Sequence, residues 1–485
     1  MKQVRLLLVI RKSASLLACL LSIVFLQASA GAGSDTAVPN PQVSLIPFQL
    51  GVPPGPVNAA PLDLSLYGYT EAEFEVSGTA NTYDESGTWG SDGQWSVKVA
   101  SGNHPYRTRI LVRRPVNPKN FNGTVVVEWF NATSGYDLDV DWPQSYTEFV
   151  RDGFAWVGVS AQQIGVSALA NINPQRYGDL DIESDDNSYD IFSQVAVAIR
   201  KQAPLVLGGL QPERIVATGQ SQSAIRLVTY TDAIQPIANV FDALLIHSRS
   251  SSAAPISGLK LAPSVVYIRS DLKVPVLQLE SQTDVGELEF YKARQPDTDL
   301  LRSWEVAGAS HVDSTFLTSA NGESAAALGA PLVSCLDEVN SVPFHYIESA
   351  AWFSMQSWLK SGRVPASSPQ IAISAGGKIE FDQYGNAIGG IRLPELEVPI
   401  AKYIPNNLGR LNANVPNGLD YLGCALLGST LPFKGSLLKT LYPSHGDYVS
   451  SYQSAAQNLV TAGFMLQPDE SLAVLRAQQS NIGGN

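Results

Sequence analysis

Ser221, Asp284 and His311 are three side chains whose types and order could carry nucleophilic chemistry. A serine hydroxyl attacks a carbonyl only when an imidazole takes its proton, and the imidazole needs a carboxylate to hold its tautomer and stabilise its charge. Ser221 lies in Gly219-Gln-Ser-Gln-Ser223, between the β-branched run Ile215–Ala217 and the helical pattern of Ala224, Ile225, Leu227 and Val228. Strand, tight turn and helix together can lift a serine hydroxyl above a sheet. Small residues must flank such a turn because strand and helix nearly touch. Gly219 fills the first position and Ser223 stands where a second glycine is usual. A helix-capping serine is the plainer alternative.

The histidines are few enough to weigh singly. There are five. His104 sits beside a proline in a turn and reads as a surface residue. His247 ends a strand directly after the turn, with no acid-bearing strand between, and is assigned a supporting or core role. His345 begins an amphipathic helix and suits packing or capping. His445, in Tyr442-Pro-Ser-His-Gly-Asp447, is expected on a loop that could line a pocket and is the rival base. His311 follows Trp304-Glu-Val-Ala-Gly-Ala-Ser310, a strand emptying into a small-residue loop, where the base should lie. The preceding strand, Val276–Leu279, leads into Glu280-Ser-Gln-Thr-Asp284, so Asp284 is the favoured acid and Glu280 its competitor.

The tetrahedral oxyanion formed by such a reaction needs two backbone N–H groups. Gln222, directly after Ser221, should supply one. The loop Glu128-Trp-Phe-Asn-Ala-Thr-Ser-Gly135 should supply the other, from Asn131 or Ala132. Trp129 and Tyr136, with Phe130 and Trp142, are candidates for an apolar substrate pocket, though core packing competes for at least half of these aromatics.

The elements that must position these groups are legible as patterns. Glu73–Ser77, Trp95–Val99 and Tyr106–Val112 alternate as half-exposed antiparallel strands do. Gly123–Phe130 and Phe154–Val159 are continuous apolar runs, as expected of parallel strands buried on both faces. Helical segments lie between them and at Tyr189–Lys201. Strands follow at Phe241–Ile246, Val274–Leu279 and Leu301–Val306, and an amphipathic helix spans Pro343–Gly362. The fold class is therefore α/β: a mixed, mostly parallel sheet flanked by helices. From Ser367 to about Gly435 the chain is rich in Gly, Pro and Asn, and it returns to a helical pattern at its end.

Lys2, Arg5, Arg11 and Lys12 precede the apolar run Leu16–Leu26, and Ala28-Ser-Ala30 follows. Residues 1–30 thus read as a cleaved signal peptide, 31–61 as a linker or surface arm, and 62–485 as the main domain, with 363–485 its C-terminal extension. A secreted or periplasmic protein is expected, without stable membrane insertion. Cleavage leaves Cys335 and Cys424, which an oxidising compartment would allow to pair, with two separate buried thiols as the alternative. A net charge of −12 disfavours nucleic acid, whose phosphates require basic patches. No phosphate-cradling glycine loop, Cys-x-x-Cys pair or His-Glu-x-x-His helix occurs, so neither cofactor nor metal is expected. Asp137, Asp139, Asp141 and Glu148 fall at calcium-loop spacing, but Trp142 and Pro143 break the loop, leaving an acidic pocket-side loop. Asp179–Asp186 reads as a solvated loop. The sequons Asn122-Gly-Thr124 and Asn131-Ala-Thr133 are at chance frequency, and a glycan on the second would block the proposed oxyanion loop.

Together these landmarks resemble the α/β-hydrolase superfamily, and more narrowly the bacterial-type group described as α/β hydrolase domain-containing proteins. The likeness rests on Gly123–Asn131, Gly158-Val-Ser-Ala-Gln162, Gly219–Ser223, Pro296-Asp-Thr-Asp299 leading to Arg302–His311, and Tyr384–Pro394. It spans nearly the whole mature chain, which places the C-terminal third in one hydrolase unit. Where the group often reads Ser-Glu-Thr-Asp, this chain has Ser281-Gln-Thr-Asp284, removing one competing carboxylate. The resemblance implies hydrolase chemistry and says little about the natural ester. With the residues above, the expectation is an exported serine hydrolase of small-molecule or polymeric carboxylic esters. Lactone or polyester cleavage, acyl transfer, and an inactive secreted binding protein of the same fold are the alternatives.

Overall fold

Consecutive residues of a strand point to opposite faces, so a strand apolar at every position must be covered on both sides. The run Val125–Val127 of β4 (Thr124–Trp129) is of this kind, and every residue of the strand is buried, the carboxylate Glu128 included. Val125 and Val127 pack in a core with Phe192, Leu227 and Tyr230, whereas Val126 packs in a second core with Trp142, Trp156 and Trp352. The computed structural model describes residues 38–47, 56–258, 261–318, 334–409 and 419–484. The expected signal peptide lies outside them.

The sheet is assembled from β1 (Gln42–Leu45), β2 (Tyr69–Glu85), β3 (Val97–Pro115), β4, β5 (Ala155–Val159), β6 (Asp181–Ile182), β7 (Arg214–Gln220), β8 (Ala243–His247), β9 (Val276–Ser281) and β10 (Leu301–Val306). Its order is β1-β2-β3-β5-β4-β7-β8-β9-β10, with β6 beside β3. The run from β5 to β10 is parallel, and β1–β3 form an antiparallel flank. The expected mixed, mostly parallel sheet is what the chain builds. Two details differ. The short runs Trp95–Val99 and Tyr106–Val112 are parts of one long strand, because β2 and β3 pair along most of their length through bulges near Ala80 and Thr82. Part of the expected linker, Gln42–Leu45, pairs with β2 as an edge strand.

Helix α1 (Asp141–Asp152) and the amphipathic helix α5 (His345–Ser361) cover one face. The other carries α2 (Ser188–Lys201) and α3 (Gln222–Thr229), whose apolar residues share the core of β4 and β7. Gly362 ends α5 at φ 70°, a conformation glycine adopts without Cβ strain. A short helix, α4 (Gln282–Gly286), follows β9.

The C-terminal third closes on the β10 edge. The Ile391 N–H donates to Glu305 O and the Ala307 N–H to Ile391 O. Cys335 is disulfide-bonded to Cys424 in helix α6 (Leu419–Leu427), and the Val312 N–H donates to Leu426 O. Two further helices, α7 (His445–Ala462) and α8 (Gln467–Gln479), pack on each other. No helix among the described residues is long and apolar enough to cross a membrane.

Candidate active site

Strand β7 ends at Gln220 and α3 begins at Gln222, leaving Ser221 alone to reverse the chain at φ 61°, ψ −116°. A non-glycine residue there is strained, and the strain is held by its surroundings. The Ser221 N–H donates to His247 O at 3.0 Å. A Cβ on Gly219 would come within 2.9 Å of the Ser223 Cβ, so the close approach of strand and helix requires glycine. Ser223 is buried and donates its hydroxyl to Phe130 O, which explains how a serine serves at the second small position.

The Ser221 hydroxyl lies 2.8 Å from His311 Nε2, and His311 Nδ1 lies 2.5 Å from Asp284 Oδ1. An ionised carboxylate only accepts, so the imidazole proton belongs on Nδ1, and the Nε2 lone pair faces the serine. Asp284 is the third residue of α4, and its second oxygen accepts the Ser281 N–H at 2.7 Å while the Ser281 hydroxyl accepts the Asp284 N–H. This capping box fixes the carboxylate. Burial opposes charge on Asp284, but His311 and these hydrogen bonds outweigh it and hold its pKa below the usual carboxylate range. Glu280 lies in β9 beside Glu305 of β10; neither of its oxygens has a hydrogen-bond partner among the described residues, and burial together with Asp284 pushes its pKa well up.

Gln222, at the first position of α3, has no helical acceptor for its N–H. The Asn131 N–H, by contrast, donates to Leu138 O, which removes it as an oxyanion donor. Asn131 instead donates its side-chain amide to Gln220 O at 3.0 Å, and its own side-chain oxygen takes the Thr133 N–H. The Ala132 N–H, the other expected donor on that loop, makes no hydrogen bond to another described residue. Trp129 is fully buried against Tyr189 and Phe192 and belongs to the core, because its position in β4 points it at α2. His445 begins α7 rather than sitting on a loop, and its ring nitrogens face Ile482 O and Gln478 O, so it braces the C-terminal helices. Tyr136 is half-buried on the loop after β4.

The acids at calcium-loop spacing are buried rather than pocket-side. Asp137 binds Ser160 and Arg109, Asp139 binds Arg113, Asp141 binds His247 and Thr218, and Glu148 binds Arg151. Gln220 was not singled out by sequence reasoning; its amide donates to His311 O at 3.3 Å and lies 3.2 Å from His311 Nε2. The Ser281-x-x-Asp284 spacing was readable as a capping box. Asp141, His247 and Glu348 lie behind the turn, each offering a donor atom within 4.8 Å of the others.

Parallel sheet, strained serine turn and the Ser–His–Asp hydrogen-bond chain are those of an α/β-hydrolase. The chain belongs to the family described as alpha/beta hydrolase domain, whose model matches residues 39–474. No curated protein matches it. Among solved structures it is similar to the esterase Est22, at 12% identity and a TM-score of 0.29 over 54% of this chain and 79% of that one. It is also similar to a fungal esterase from Rhizomucor miehei (9%, TM-score 0.27, 52% and 83%) and to a putative dienelactone hydrolase from Klebsiella pneumoniae subsp. pneumoniae (12%, 0.27, 48% and 85%). Likeness of this order carries no argument about substrate.

Proposed function

We propose that this protein is an exported serine hydrolase of carboxylic esters, with Ser221 as nucleophile, His311 as general base and acid, and Asp284 orienting His311. The observation that carries the reading is the hydrogen-bond chain Ser221 Oγ–His311 Nε2 and His311 Nδ1–Asp284 Oδ1. Ser221 attacks the ester carbonyl as its proton passes to Nε2, and the imidazolium formed is stabilised by Asp284. The oxyanion is received by the N–H groups of Gln222 and Ala132. His311 returns the proton to the leaving alcohol, giving an acyl-enzyme. Water, deprotonated by His311, then attacks that acyl group; the bond to Ser221 Oγ breaks as His311 returns the proton to Oγ, and the acid is released.

The substrate is a small-molecule or polymeric ester, and the N-terminal address supports export to the periplasm or medium. The test is labelling of the mature protein with a fluorophosphonate, wild type beside Ser221→Ala and His311→Ala, followed by p-nitrophenyl esters of increasing chain length. Labelling and turnover lost in both variants support the assignment. A folded wild type that neither labels nor hydrolyses any ester refutes it and favours an inactive binding protein.

A further inference from the structure

Directly beneath the serine turn lies a second histidine–carboxylate assembly that the reaction does not use. His247 is the last residue of β8, paired in register with Gln220 of β7. Its carbonyl accepts the Ser221 N–H, and the next residue, Ser248 at φ 56°, donates its N–H to Leu279 O at 2.8 Å. Leu279 stands two residues before Ser281, whose N–H holds Asp284. The backbone at His247 therefore joins the nucleophile's turn to the strand that carries the acid.

The His247 side chain is fixed as firmly. Nδ1 lies 2.7 Å from Asp141 Oδ1, and the other Asp141 oxygen accepts the Thr218 hydroxyl at 2.7 Å, three residues before Ser221 on β7. The ring stacks on Phe344 at 5.2 Å with planes 8° apart. One turn along α5, Glu348 accepts the Ser145 hydroxyl through Oε1, and its Oε2 has no hydrogen-bond partner among the described residues. Asp141, His247 and Glu348 are all sealed from solvent. Asp284 of α4 also faces His247, Asp313 faces Glu348, and Glu128 faces Asp141.

Burying such groups costs desolvation that apolar residues of the same shape would avoid, so bulk stability is a poor reason for this assembly. A buried, directional ion pair instead selects one arrangement of the elements that carry it. Here those elements are α1, β7, β8 and α5, and the arrangement they select sets the position of Ser221.

We propose that Asp141, His247 and Glu348 form a buried assembly that holds the nucleophile turn from beneath, making His247 a positioning residue for Ser221. The inference rests on the serine-hydrolase reading. Displacing a nucleophile by about 1 Å costs on the order of 100-fold in rate.

The experiment compares wild type with His247→Gln, Asp141→Asn and the milder Thr218→Val. It measures kcat and KM on p-nitrophenyl butyrate well below Tm, the rate of fluorophosphonate labelling, and low-field proton NMR. The expected result is folded variants in which kcat and labelling rate fall together by roughly 10- to 100-fold, KM staying within about threefold, with a smaller drop of the same kind in Thr218→Val. A low-field imidazole N–H resonance should persist in His311→Gln and vanish in His247→Gln. Variants with lowered Tm but unchanged kcat and labelling rate would overturn the proposal in favour of core packing. Should the first two variants not fold, Thr218→Val decides alone. Stoichiometric metal in the purified wild type, lost in His247→Gln, would overturn it in favour of a metal site. An unreactive wild type would refute the hydrolase reading instead, and the NMR signal would still report whether the His247–Asp141 proton exists.

Discussion

Gly219 and Ser223 face each other across the serine turn so closely that a Cβ on the glycine would lie 2.9 Å from that of the serine. Gly219→Val should therefore force strand and helix apart, lowering stability by roughly 2–4 kcal/mol and the proposed hydrolytic activity more steeply than stability. Ser223→Gly removes only the hydroxyl's bond to Phe130 O and should keep most activity. Thermal unfolding and kcat of the two variants check this.

Asp284 and Glu280 are both buried carboxyls near the end of β9, and only Asp284 touches His311. Asp284→Asn should lower kcat by about 10³- to 10⁴-fold, because the amide favours the wrong imidazole tautomer. Glu280→Gln should leave kcat within a few-fold. Equal losses in both would contradict the assignment.

The pH dependence of stability follows from the assembly behind the turn. Burial opposes charge on His247, yet Glu348 and Asp141 outweigh it and push its pKa up to about 9 from 6.5. That stabilisation is complete below pH ~6.5 and is lost as pH rises through about 9. Burial pushes Glu348 up to about 8, against which His247 acts. Unfolding lets that carboxyl ionise earlier, so its effect has the same sign from roughly pH 4.5 to 8. Tm should fall between pH 6.5 and 9, with a few kcal/mol at stake. His247→Gln should flatten the slope, as differential scanning calorimetry would show.

The disulfide between Cys335 and Cys424 joins residues 89 apart, and α6, which carries Cys424, also accepts the Val312 N–H beside His311. Replacing both cysteines by serine should cost roughly 2–4 kcal/mol of stability. It should also lower kcat several-fold by loosening the His311 loop. A variant with unchanged Tm would show that the bridge constrains neither fold nor loop.

The sequence by itself determined the sheet's kind and set Ser221, Asp284 and His311 in the order the proposed triad requires. β-branched runs such as Val125–Val127 leave no polar face, and a serine between a strand and a helix with small neighbours can fold in few ways. Asp284 was legible because it stands several residues past the end of the strand that precedes the one leading to His311. What only the tertiary structure decided were matters of direction and partnership. Asn131 and Ala132 are adjacent in sequence, and the pairing of Asn131 with Leu138 is what separates them. Trp129 could face a pocket or the core until the crossing of β4 and α2 turned it inward. His445 lost its place near the reaction because the last helices fold together. The alliance of Asp141, His247 and Glu348 joins residues more than a hundred positions apart through side chains from three elements. No local pattern encodes it, since burial and opposite charge bring those groups together only after the sheet and its covering helices have formed.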